Sequence, residues 1–212
     1  MARAALLITI NAALLGVIGA AFWWQDWQYA LPTPRPAGFY QPALGSRPEL
    51  PPELAALRRP NRAMLVHYAS SRCPCTEFNL DHVRSLHKAF GDRVDFVVAL
   101  ETRSTPEEGA REFGSLHLQM PFLIDRDGQV GAALGVFGTP QAVLLDSAGR
   151  LYYRGNYNRS RYCVDESSEF VRIALTALTA HRPLPTMPQE AFITFGCPLP
   201  RLPSARNAGA GP

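Results

Sequence analysis

The chain has 212 residues, enough for one domain with appendages and too few for two full cores. Its formal charge of +3 is spread along the sequence with no block of basic residues, so the electrostatic footprint of a nucleic-acid-binding protein is missing. The 19 prolines fall mostly in residues 31–60 and 182–212, which read as a linker and a tail around a central domain.

The N-terminus carries one basic residue, Arg3, followed by Ala4 to Trp24 without an ionised side chain. About 20 apolar residues suffice to cross a bilayer core. Asn11 is the one strongly polar interruption, and Phe22, Trp23, Trp24 and Trp27 are aromatics of the kind that sit at a membrane boundary. With Arg3 inside, the bulk of the chain lies outside the cytoplasm. The competing reading is a signal peptide cut near Gly19-Ala20-Ala21, where bulky residues follow at once. Both readings export the domain. The expected divisions are a membrane anchor over 1–27, an extended Pro-rich spacer over 28–60, the domain over 61–182 and a Pro-rich tail over 183–212. A short helix is expected from Pro51 to Arg59.

Residues 63–69 are an apolar run of strand character, and the polar loop Ser70-Ser71-Arg72 then delivers Cys73-Pro74-Cys75. A helix follows, with Phe78, Val83, Leu86 and Phe90 at roughly helical spacing and Leu80 flanking them. Two cysteines therefore stand where a strand ends and a helix begins. The unpaired N–H groups and partial positive charge of a helix's first turn favour an anion there. A thiolate attacks disulfides and binds soft metals, so this position points to sulfur chemistry.

Further along, 94–100 reads as a β-branched strand. Ser104-Thr105-Pro106-Glu107-Glu108 starts a helix running to about Leu116. A short strand over 120–124, a turn over 125–128 and a short helix over 129–136, stopped by Gly138, come next. Thr139 to Leu145 is a strand entered through Pro140, and Asp146-Ser147-Ala148-Gly149 turns it back into 150–154 as a hairpin. The closing helix, 166–179, presents Phe170, Ile173, Ala174, Ala177 and Leu178 on one face, with Asp165 or Ser167 as cap.

This order of elements resembles the thioredoxin superfamily, and within it the exported or membrane-anchored redoxin branch. The residues that carry the resemblance are Cys73-Pro74-Cys75, Gly138-Thr139-Pro140 before the hairpin, and Tyr152-Tyr153-Arg154-Gly155 closing it. It implies a three-layer α/β/α sandwich with a mixed central sheet, behind one N-terminal transmembrane helix. It also implies a cis Pro140 beside the cysteines, with Thr139 offering its backbone to an extended substrate. Cys73 and Cys75 would be catalytic, and Arg72, Thr139 and Pro140 would bind substrate. The activity implied is thiol-disulfide exchange with a thiol- or disulfide-bearing protein partner, without metal or cofactor. The setting would be a bacterial inner membrane, with the domain facing the periplasm.

The chain departs from the family pattern in its spacing, because one residue separates the cysteines where two are usual. In one register Cys73 is the attacking cysteine, and His67 takes the place where a buried acid often stands. In the other, Arg72 falls at the nucleophile position. Cys163 and Cys197 then either form a structural clip, or Cys197 resolves a mixed disulfide at Cys73 or Cys75.

Three other functions remain open. The first is a Cu(I) metallochaperone using the pair with one of His67, His82, His87 or His117. The second is a peroxiredoxin-like peroxidase, although the Pro and Thr usual before its cysteine are not there. The third is an inert tethered interaction domain. The redox reading requires that both thiols reach solvent and that Pro140 lies near them.

Overall fold

The computed structural model describes residues 2–159 and 166–200. It divides into two compact units, Met1–Pro32 and Thr33–Pro212.

The first unit is helix α1, Ala2–Ala30. Its apolar span, Ala2–Gln25, contains 24 residues, about 36 Å at the helical rise of 1.5 Å per residue. A hydrocarbon core is about 30 Å thick, so α1 is long and apolar enough to cross one. Its polar side chains bond within the helix: Thr9 Oγ1 donates to the Ala5 carbonyl and Asn11 Nδ2 to that of Leu7. Trp23 and Trp27, one turn apart, stack with centroids 5.8 Å apart.

The second unit opens with short helix α2, Pro52–Ala56, and continues through β1, Ala63–Ser70; α3, Pro74–Phe90; β2, Val94–Glu101; and α4, Pro106–Ser115. Next come β3, Phe122–Ile124; α5, Gln129–Leu134; β4, Gly138–Thr139; β5, Gln141–Leu145; and β6, Leu151–Gly155. Helix α6, Phe170–Thr179, and β7, Cys197–Pro198, complete it. Five strands form one sheet in the order β3-β2-β1-β5-β6, while β4 and β7 pair separately. β1, β2 and β3 are parallel; β5 runs antiparallel to β1, and β6 to β5. This mixed sheet, with helices on both faces, is the thioredoxin-like α/β/α sandwich.

Strand side chains alternate between two cores, as the period of two requires. Leu65, Ala69, Phe96, Val98, Leu100, Ala142 and Leu144 pack with residues of α3, α4 and α6. Met64, Val66, Tyr68, Val97, Ala99, Val143 and Leu145 pack with residues of α2 and α5. Two elements are shorter than expected. Gly135, at φ +71, stops α5 before Val136, and the cis bond at Pro140 splits the expected 139–145 strand into β4 and β5.

Two helices bury most of the expected apolar residues but each leaves one of them exposed. In α3 the buried positions are Cys75, Thr76, Asn79, His82, Val83, Leu86 and Phe90, leaving Phe78 exposed. In α6 they include Val171 and Leu175, and Ile173 is exposed. Its N-cap is Glu169, after a separate turn over Glu166–Ser168.

The expected spacer and tail both pack on the domain. The Gly45 N–H donates to the Leu151 carbonyl and the Leu151 N–H to that of Ser46, so residues before α2 cover the start of β6. Leu54 is fully buried, and Arg154 Nη1 donates to the Pro42 carbonyl at 2.9 Å. Behind α6, the Ala191 carbonyl accepts from Tyr153 Oη at 2.9 Å and from the Asn156 N–H at 3.0 Å.

Candidate functional site

β1 ends at Ser70, and three residues later Cys73 caps α3 in an extended conformation, φ −94 and ψ 113. Pro74 occupies the first helical position, where a missing N–H costs nothing. The Ser70 carbonyl fixes the loop, accepting from the Cys73 N–H at 3.1 Å and from Thr76 Oγ1 at 2.9 Å. One turn into the helix, Asn79 Nδ2 holds the Cys75 carbonyl at 2.8 Å.

The facing element is β4. The Thr139–Pro140 bond is cis, and the Thr139 carbonyl lies 3.3 Å from Cys73 Sγ. β7 then runs antiparallel along β4 with Cys197 opposite Thr139. The Cys197 thiol comes against the sulfurs of both Cys73 and Cys75, so three thiols converge at the start of α3. Hydrogen bonding from Cys197, then from Cys75, holds the Cys73 thiol far below its ordinary pKa and outweighs the opposing effect of burial. Cys197, the donor, is pushed upward by the same contacts. Of these thiols, Cys73 is the one whose pKa the contacts lower.

A cavity of about 260 Å³ opens beside it, lined among others by Arg72, Cys73, Glu101, Arg103, Thr139 and Cys197. Direct access is small, since Cys73 is only 2% exposed and Cys75 5%. The requirement that both thiols reach solvent is therefore not met in this conformation. β7 lies over the Cys73 side of the site and supplies part of that cover.

The sequence profile of a family described as Domain of unknown function (DUF6436) matches residues 45–197, from before α2 to Cys197. The chain belongs to the DUF6436 family.

Among solved structures, this DUF6436 chain is similar to a hypothetical protein from Sinorhizobium meliloti 1021. The identity is 22% and the TM-score 0.64, over 77% of this chain and 97% of that one. It is also similar to an uncharacterized conserved protein from Geobacillus kaustophilus, at 21% identity and a TM-score of 0.63, over 82% of this chain and all of that one. The thioredoxin domain of a thiol-disulfide oxidoreductase from Bacteroides vulgatus matches at 15% identity and a TM-score of 0.47, over 57% and 94% of the two chains. No curated protein matches the chain.

The DUF6436 domain thus brings together Cys73, Cys75, Thr139, Pro140 and Cys197 from the residues singled out in sequence. Arg72 is exposed at the cavity rim, its N–H 3.4 Å from Ser70 Oγ. Cys163 lies outside the described residues. Cys197 meets the other two thiols, as the resolving alternative requires.

His67 lies fully buried in β1, with Nδ1 2.6 Å from Tyr157 Oη, and burial lowers its pKa to about 3, so it is neutral. His82 faces Glu169 at 3.3 Å, and His87 packs against Phe96. Among the described residues no group of three His, Cys, Asp or Glu side chains could hold a metal ion.

Sequence reasoning missed the residues that seat Cys197: Thr33, Gln141 and Thr194. Nothing in their local pattern marks them. Gly196 was visible only as the neighbour of a cysteine.

Proposed function

We propose that this protein is a thiol-disulfide oxidoreductase, anchored in the inner membrane by α1 with its domain on the periplasmic side. Cys73 is its attacking sulfur. The observation that carries the reading is the position of Cys73 Sγ: at the N-terminus of α3, 3.3 Å from the carbonyl before a cis proline and hydrogen-bonded by two further thiols. A helix N-terminus and two thiol donors favour the thiolate, which is the reactive form.

Cys73 is 2% exposed beside the cavity and must first be uncovered; its thiolate then attacks one sulfur of a partner disulfide. The new bond joins Cys73 to the partner, and the partner's other sulfur leaves as a thiolate and takes a proton. A second thiol of the site, Cys75 in the simplest case, loses its proton and attacks Cys73 Sγ, releasing the partner's remaining thiolate. The partner disulfide has then gained two electrons, and two site thiols have become one disulfide. The same steps reversed oxidise a partner dithiol. Only sulfur atoms and protons take part.

The test is single turnover of the reduced protein with hydroxyethyl disulfide, followed by mass spectrometry. Cys73→Ser should abolish adduct formation, and the wild type should pass through an adduct on Cys73. An adduct that appears on Cys75 at an undiminished rate in Cys73→Ser would refute the assignment.

A further inference from the structure

β4 consists of Gly138 and Thr139 alone and lies outside the five-stranded sheet. Its edge is the backbone immediately before cis Pro140, beside the Cys73 sulfur. An extended partner chain bringing a disulfide to Cys73 would pair with that edge, as peptides do when they add a strand to a sheet. Here the edge is already filled by β7, with Gly138 opposite Pro198 and Thr139 opposite Cys197.

The seat for β7 is built from several separate parts of the chain. The Thr33 N–H donates to the Thr194 carbonyl at 2.7 Å, and Thr33 Oγ1 donates to the Gly196 carbonyl at 2.9 Å. Gln141 Nε2 donates to Thr194 Oγ1 at 2.5 Å, and the Leu199 N–H to the Phe137 carbonyl at 2.9 Å. Gly196 adopts φ +117, and a Cβ there would stand 2.1 Å from the Thr139 carbonyl oxygen. Only glycine lets the strand approach this closely. The contacts hold β7 in the manner of a bound peptide, with its cysteine presented to Cys73.

We propose that β7 is an internal substrate strand: Cys197 is the third redox residue of the site and closes a disulfide with Cys73, and β7 leaves β4 when a protein partner takes its place. The proposal rests on Cys73 being the attacking sulfur.

When Cys73 carries a mixed disulfide, Cys197 gives up its proton and attacks Cys73 Sγ. The partner's sulfur leaves as a thiolate and is protonated. Two site thiols have become the Cys73–Cys197 disulfide, and the partner disulfide has become two thiols. Cys75 can then attack Cys73 Sγ, moving the bond to Cys73–Cys75 and returning Cys197 to the thiol with no net electron exchange. One residue, Pro74, separates Cys73 from Cys75, which restricts the geometry open to that pair. Cys197 approaches from a separate strand and escapes the restriction.

The experiment uses the full chain, reduced, reacted with one equivalent of hydroxyethyl disulfide, quenched in acid and mapped by mass spectrometry. The wild type and Cys75→Ser should both yield a peptide pair joined through Cys73 and Cys197, and Cys197→Ser should accumulate the mixed disulfide on Cys73 at early times. Gly196→Ala, which unseats β7 while keeping every cysteine in the chain, should lower the yield of that pair. It should also raise alkylation of Cys73 by roughly tenfold at about pH 9.5, where the thiol ionises without help from Cys197, the equivalent of about 1.4 kcal/mol of lost seating.

Suppose instead that Cys75→Ser keeps a stable mixed disulfide on Cys73 with Cys197 still alkylatable, or that Gly196→Ala, shown to be folded by circular dichroism, leaves Cys73 alkylation unchanged. Either result overturns the internal strand and leaves thiol-disulfide exchange at Cys73 standing. Failure of Cys73 to react in both the wild type and Gly196→Ala overturns the redox reading as well.

Discussion

Cys197 stands opposite Thr139 in a two-residue antiparallel ladder, and so a strand far along the chain from α3 delivers a thiol to the residue that caps it. That pairing makes the ionisation of Cys73 depend on a distant segment.

The first prediction concerns pH. Below its pKa an ordinary thiol reacts about tenfold faster for each unit the pH rises, because the thiolate fraction rises. Cys73, held as a thiolate mainly by Cys197, should alkylate at a rate independent of pH between about 5 and 8, and Cys197→Ser should restore a slope. Stability follows the same shift. The folded pKa of Cys73 is depressed below 9.0, so its contribution is complete above pH 9.0 and is lost as the pH falls. Cys197 is shifted upward, so its share is present below 9.0 and is lost at higher pH. The difference in melting temperature between the reduced wild type and Cys73→Ser should therefore widen as pH rises towards 9. Site-resolved alkylation is the direct measurement.

His67 gives a second pH dependence, with a different window. Its folded pKa, about 3, lies below the ordinary 6.5, so the unfolded chain takes up a proton first on acidification. The associated stability is complete above pH 6.5 and is lost progressively as pH falls towards 3. The full effect is on the order of 3 to 5 kcal/mol. Urea unfolding at pH 7 and pH 5 should show the loss in the wild type and much less of it in His67→Asn.

Gly155 tests whether residues beyond α6 belong to the folded unit. A Cβ at this position would lie 1.9 Å from the Ala191 carbonyl oxygen and 2.7 Å from Tyr153 Oη. Gly155→Ala should therefore lift the turn over Gln189–Ala191 off β6, costing about 1–3 kcal/mol. Limited proteolysis should then cut within 183–193, where the wild type resists.

Asp125 supports the second core. One carboxylate oxygen accepts from Tyr68 Oη at 2.6 Å and from the Gly131 N–H at 2.9 Å, and the other accepts from the Val130 N–H at 3.2 Å. The N-cap of α5 is Gly128, which has no side chain to offer, so Asp125 does the capping from outside the helix. Asp125→Ala would strand the buried Tyr68 hydroxyl and two N–H groups, at a cost of about 3 kcal/mol or more. The midpoint of denaturant unfolding should fall accordingly, and less for Asp125→Asn.

The sheet and its helices were legible from local signals, namely the apolar runs 63–69 and 94–100 and a proline at the first turn of α3, while the Cys73 to Pro140 juxtaposition followed from the family resemblance carried by the Gly-Thr-Pro run before the hairpin. One position on the inner face of α3, Phe78, was misjudged, because Asn79 and His82, both polar, are buried at its start instead. Apolar periodicity cannot register a polar residue whose burial is met by hydrogen bonds or ion pairs. The proline-rich ends escaped notice for another reason. They attach through isolated backbone pairs and single side chains, such as Leu54, Ala191 and Thr194, and leave no repeating pattern to read.

Three sulfurs meet at the start of α3, and a disulfide uses two of them. Parity then matters: whichever pair closes, one sulfur is left over beside the bond, with the chemistry to reopen it. An oxidised site of this kind is not a terminus. It can redistribute its own bond among three atoms and wait, already carrying the nucleophile that the next round needs.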